Sequence, residues 1–65
     1  MKVVVYDTKD KVHRFLKGKI GEDNCVWTVN KEDANDYTKE EFEMITKDFE
    51  NNKNYSGFTS LGYTQ

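Results

Sequence analysis

The sequence predicts an α+β domain in which a small antiparallel sheet of three to four strands packs against one main α-helix. Three observations predict it. Val3-Val4-Val5-Tyr6 and Val12 to Leu16 are β-rich runs separated by the polar stretch Asp7-Thr8-Lys9-Asp10. Cys25-Val26-Trp27-Thr28-Val29 is a third such run. Thr38 then opens a segment in which Phe42, Ile45 and Phe49 recur at helical spacing. The expected order is β-β-β-α, and residues 1–65 form one domain, because a chain this short seldom holds more than one core.

The first two runs form an antiparallel hairpin, although the turn lacks the Asn-Gly or Asp-Gly pair that marks the tightest ones. Gly18 and Gly21 bracket Ile20 and end or bend the second strand. Phe15 and Leu16 are neighbours, so they point to opposite faces. One face packs on the helix; the other presents either Leu16 beside Arg14, or Phe15 beside His13 and Lys17. The third strand is entered through a Glu22-Asp23-Asn24 turn, and its alternation sets Cys25, Trp27 and Val29 against Val26 and Thr28.

Asn30 with Asp33 is a weak capping box for a short helical turn, with Val29 and Ala34 in the positions of a hydrophobic staple. The same grammar is stronger at Thr38. Glu41 three residues on completes a Thr-x-x-Glu box, and Tyr37 and Phe42 hold the staple positions. Glu43 and Lys47 have the spacing and order of a favourable i,i+4 ion pair. Asn51-Asn52-Lys53-Asn54 stops the helix, since asparagine tolerates the left-handed conformation common at helix ends. Asp48 and Glu50 oppose the helix dipole in the last turn, which favours fraying. Phe58 to Tyr63 is expected to add a fourth strand at the sheet edge; the alternative is a tail wrapped on the helix.

Composition narrows the function. Nine aromatic side chains argue for a folded chain despite 34% charged residues. Residues 1–30 carry six basic against four acidic side chains, and residues 31–50 carry three against eight, within a net charge of −2. The overall basic character usual in nucleic-acid binding is therefore absent. Cys25 is the single cysteine and His13 the single histidine, so neither a disulfide within the chain nor a four-ligand zinc site is expected. A lone thiol fits a reducing compartment. With no signal-like or membrane-length apolar run, the expected location is the cytoplasm.

No phosphate loop, metal-ligand spacing or nucleophile motif is present, and Gly18-Lys19-Ile20-Gly21 is too short for a P-loop. No catalytic residue, metal or cofactor is expected. His13 and Cys25 would need partners to become reactive, and read better as a strand side chain and a small apolar residue. Met44 falls about 200° around the helix from Phe42, among charged side chains. Either the C-terminal segment folds over it, the outcome preferred here, or Met44 is an exposed contact for a protein partner.

The order of these motifs resembles a loose group of small uncharacterised proteins of phages and prophages of Gram-positive bacteria. The matching residues are Leu16-Lys17, Trp27-Thr28, Asp33-Ala34 and Tyr37-Thr38-Lys39-Glu40-Glu41 running into Ile45, within residues 1–50. The resemblance implies a β-β-β-α arrangement and a mobile-element origin, and it carries no catalytic residue across. The leading expectation is a non-catalytic protein-binding module, a phage accessory or inhibitor protein that binds a host or phage protein through Glu40, Glu43, Met44 and Lys47. The alternative is a nucleic-acid binder using Lys9, Lys11, Arg14 and Phe15 on the hairpin. No membrane partner is expected, and the chain is a monomer or a homodimer.

Overall fold

The computed structural model describes residues 1–18, 26–51 and 57–64. Its elements are β1 (Lys2–Asp7), β2 (Val12–Lys17), β3 (Val26–Thr28), a 3-10 turn (Lys31–Asp33), α1 (Lys39–Asn51) and β4 (Phe58–Thr64). The strands form one antiparallel sheet in the order β3-β2-β1-β4. The C-terminal strand expected from Phe58 to Tyr63 is present, paired with β1 at the sheet edge.

Alternation decides which side chains are buried. Val3, Val5 and Asp7 of β1 face the helix and are buried, and Leu16 of β2 joins them. The question that the neighbours Phe15 and Leu16 left open is thereby answered: Leu16 is in the core, and Phe15 lies half-buried on the far face with His13 and Lys17. On β3, Trp27 opposite Leu16 takes the core side, while Val26 is 50% exposed. Cys25 and the Glu22-Asp23-Asn24 turn lie outside the described residues.

The core unites Val3, Leu16, Tyr37 and Ile45, with Trp27, Phe42 and Leu61 packed against them. Trp27 on one edge strand meets Phe58 on the other edge to edge-on-face, ring centroids 5.6 Å apart, and Phe42 meets Tyr63 in the same way at 5.3 Å. That last pairing needs an irregularity in β4. From Val3 to Asp7 is four steps, whereas their partners Tyr63 and Phe58 are five apart. The extra residue is a bulge, with Ser60 at φ 56, and it turns Phe58 and Tyr63 to the same side.

The helix begins as its sequence dictates. Glu41 N–H donates to Thr38 Oγ1 at 3.1 Å, and Thr38 N–H donates to Glu41 Oε1 at 2.9 Å. Tyr37 and Phe42, the staple pair, both belong to the core. At the far end Asn51 donates to the Lys47 carbonyl, and residues 52–54 of the expected stop lie outside the described residues. Two local expectations fail. Glu43 and Lys47 do not pair; the ion pairs among the described residues involve Met1, Lys2 and Arg14 with Asp36, Asp7 and Asp10. An exposed pair such as Glu43–Lys47 would repay little of the side-chain entropy it restricts. Near the 3-10 turn Asn30 accepts from Glu32 N–H and bonds Asp33, as its capping role requires, but Val29 stays 58% exposed while Ala34 is buried, so no staple closes.

Between the 3-10 turn and the helix, residues 34–37 cross the end of the sheet and bind it at several points. Tyr37 N–H donates to the Met1 carbonyl at 2.7 Å, and the Met1 amino group donates back to Tyr37 at 3.1 Å. Asn35 N–H reaches the Leu16 carbonyl, Asn35 Oδ1 accepts from Gly18 N–H, and the Tyr37 hydroxyl donates to the Gly18 carbonyl. Lys2 Nζ donates to the Ala34 carbonyl at 2.8 Å. Gly18, at φ 105, supplies a conformation that a side chain would resist.

The two faces of β2 predict unequal costs of truncation. Leu16→Ala should lose about 2–5 kcal/mol in urea denaturation, and Phe15→Ala clearly less. A larger loss at Phe15 than at Leu16 would reverse the assigned faces.

Candidate functional site

Three groupings of side chains stand out: the outer surface of α1, the hairpin end, and the far face of the sheet.

On α1, residues Glu40, Glu43, Met44 and Lys47 all point away from Ile45 and are exposed. Met44 is 59% exposed. The preferred expectation, that the C-terminal segment covers it, is overturned, because Phe58–Thr64 pairs with β1 instead. The helix therefore presents one flexible apolar side chain among charges. Single exposed apolar residues are common on protein surfaces.

At the hairpin end, Asp7 is the buried charged residue of the described chain. Arg14 Nε donates to Asp7 Oδ2 at 2.8 Å, and Lys9 N–H and Asp10 N–H donate to Asp7 Oδ1 at 2.9 and 3.1 Å. The second arm of Arg14 donates to Asp10 Oδ2 at 2.6 Å. Lys11 takes a left-handed conformation, φ 57, to close the turn. Thr8 fastens it to the other edge, donating both N–H and hydroxyl to the Gly57 carbonyl.

This arrangement divides the residues of the nucleic-acid alternative. Arg14 lies on the core side, engaged by two carboxylates, and Phe15 lies on the opposite face. Lys9 and Lys11 remain at the hairpin end, and with Lys17 they make no ion pair among the described residues. The Asp7–Arg14 pair was legible only in combination. Arg14 shares the parity of Leu16, and Asp7 that of Val3 and Val5, so two strands buried on one side bring them together diagonally.

The far face is the third grouping. Register places Lys2, Val4 and Tyr6 of β1, His13, Phe15 and Lys17 of β2, and Val26 and Thr28 of β3 on it, with Thr59, Gly62 and Thr64 of β4 alongside. Val4, Tyr6 and Phe15 are half-buried, and the His13 and Tyr6 rings meet edge to face with centroids 5.1 Å apart. No described helix or strand packs over these residues. None of them is acidic.

His13 is exposed and touches a phenol ring, and Cys25 lies outside the described residues. Among the described residues no three His, Cys, Asp or Glu side chains gather in a way that could hold a metal ion. No helix of the described chain is long and apolar enough to cross a membrane. Scans against protein-family models, curated proteins and solved structures give no significant match to this chain.

The Arg14 hydrogen bond, followed by those of the two backbone N–H groups, holds the Asp7 carboxyl below its ordinary value of 3.8 despite its burial. The stabilisation is full above that ordinary value and is lost as the pH falls through the lower folded one. Acid denaturation of the wild type should therefore show a loss of stability below pH 3.8 that Asp7→Asn lacks. An unchanged acid limb in the variant would remove Asp7 from this role.

Proposed function

We propose that this chain is a small non-catalytic binding module that engages a macromolecular partner through the face of its sheet opposite the helix. The observation that carries the reading is the one-sided packing: Val4, Tyr6, Phe15 and Val26 stand together on a face with no described element over it. Clustered apolar and aromatic side chains that are only partly buried are a feature of interaction surfaces. The rings sit on the two central strands, whose backbone is fixed by pairing on both sides, so the face is rigid before any partner arrives.

A second reading keeps the partner a host or phage protein and the contact on the helix, with Met44 as the apolar anchor between Glu40, Glu43 and Lys47. Its support is the 59% exposure of Met44. It fits a phage accessory or inhibitor protein, the kind of product that the sequence resemblance suggests. The sheet face ranks above it because several apolar groups gather there, where the helix offers one.

The two readings separate by substitution. Tagged wild type, Phe15→Glu and Met44→Glu are used to recover protein and nucleic acid from a lysate of the host. Loss of the recovered partner with Phe15→Glu and retention with Met44→Glu is the expected result. The opposite pattern supports the helix, and retention by both variants contradicts both surfaces.

A further inference from the structure

We infer that the ligand of the sheet face is single-stranded nucleic acid, whose bases stack on Tyr6 and Phe15 while Lys17, Lys9 and Lys11 meet its phosphates. The inference rests on the sheet-face reading above and names the ligand class for it.

Three observations lead there. Tyr6 and Phe15 stand on adjacent central strands, Tyr6 opposite His13 and Phe15 opposite Val4, so they are diagonal neighbours. Such positions are about 7–8 Å apart, which offers one ring to each of two successive splayed bases. The bases of a duplex are already stacked on one another, so a flat platform of this kind selects single strands.

Charge is the second observation. The chain is acidic overall, yet no described residue of the far face is acidic, and the surplus of carboxylates lies in residues 31–50. Arg14, held by two carboxylates, is on the other side, while Lys2 at the start of β1 shares the parity of Val4 and Tyr6 and pairs with Asp36. Lys9, Lys11 and Lys17 make no ion pair among the described residues. Lys17 on the aromatic face, and Lys9 and Lys11 in the adjoining turn, are thus left without a carboxylate partner among the described residues.

The third observation distinguishes this ligand from a protein. Interface cores between proteins are depleted in lysine, whereas here Lys17 lies in register beside Phe15 on the face itself. On the β4 side the face is completed by Thr59, Gly62 and Thr64, which are small and, apart from the glycine, bear hydroxyls able to bond phosphate or sugar. With three lysines available, binding should be weak and strongly salt-dependent. The slope of log K against log salt should be about −2 for a single strand.

The test is fluorescence anisotropy with labelled oligothymidylate and oligouridylate of about 12 nucleotides, at low salt and over a salt series. The wild type should bind at least one of them saturably, and a duplex of the same length more weakly. Phe15→Ala should weaken binding roughly 5- to 150-fold. Lys17→Glu, at an exposed position, should weaken it and make the salt slope shallower by about one. Met44→Glu should bind as the wild type does. Circular dichroism confirms that each variant is folded, and Lys17→Glu keeps the test decisive if Phe15→Ala is not. Absence of binding to both oligonucleotides at low salt overturns the inference, as does binding indifferent to both Phe15→Ala and Lys17→Glu. If sedimentation shows instead that the face is occupied by a second copy, released by Phe15→Glu, the inference also fails. Where no oligonucleotide binds but Phe15→Glu still loses a captured protein, the ligand class is wrong and the sheet-face reading stands. Where Phe15→Glu changes neither, both fail.

Discussion

The packing of Ile45 and Phe42 against Val3, Leu16 and Tyr37 sets the side on which every strand is buried. A helix lies over one face of a sheet, and the described residues contain a single α-helix. Once Val3 and Leu16 are turned towards it, strict alternation sends Val4 and Phe15 the other way. The half-buried aromatic face is therefore a consequence of how the core is built. A slip of one residue in β2 would exchange its faces and put Lys17 or His13 under the helix.

Several contacts hold that register. The 34–37 crossing ties Met1, Leu16 and Gly18 to one another through Asn35 and Tyr37, so the N-terminal end of β1 and the C-terminal end of β2 are fixed together. At the opposite end Asp7 binds two N–H groups of the turn and Arg14. A buried carboxylate with three donors specifies a geometry that an apolar residue would leave free, because any other register leaves the charge unpaired. The bulge at Ser60 performs the matching correction on β4, bringing Tyr63 to Phe42 without losing Phe58 to the far side.

What the sequence disclosed follows a physical line. Interactions between residues close along the chain were legible: the Thr38–Glu41 box, the Asn30 cap, the stripe of Phe42 and Ile45, the end of β2 at Gly18. Interactions that need the register were not. Arg14 looked like a free cation beside Phe15, yet pairing with β1 delivers it to Asp7. Met44 looked covered because the path of the C-terminal strand was unknown. The bulge has no glycine to announce it, since Ser60 itself adopts the left-handed conformation. The candidate site was half legible for the same reason: Phe15 and the lysines could be named, and alternation along β2 set Phe15 apart from Arg14, but their company with Tyr6 and Val4 required the sheet.

The central claim is that one face of the sheet is core and the other meets solvent. Solvent paramagnetic relaxation measured by NMR on the free protein tests it most directly. The account predicts strong relaxation of side-chain protons of Phe15, Val26 and His13, and protection of Val3, Val5 and Leu16. Equal protection of Phe15 and Leu16 would mean that something covers the second face, and would contradict it.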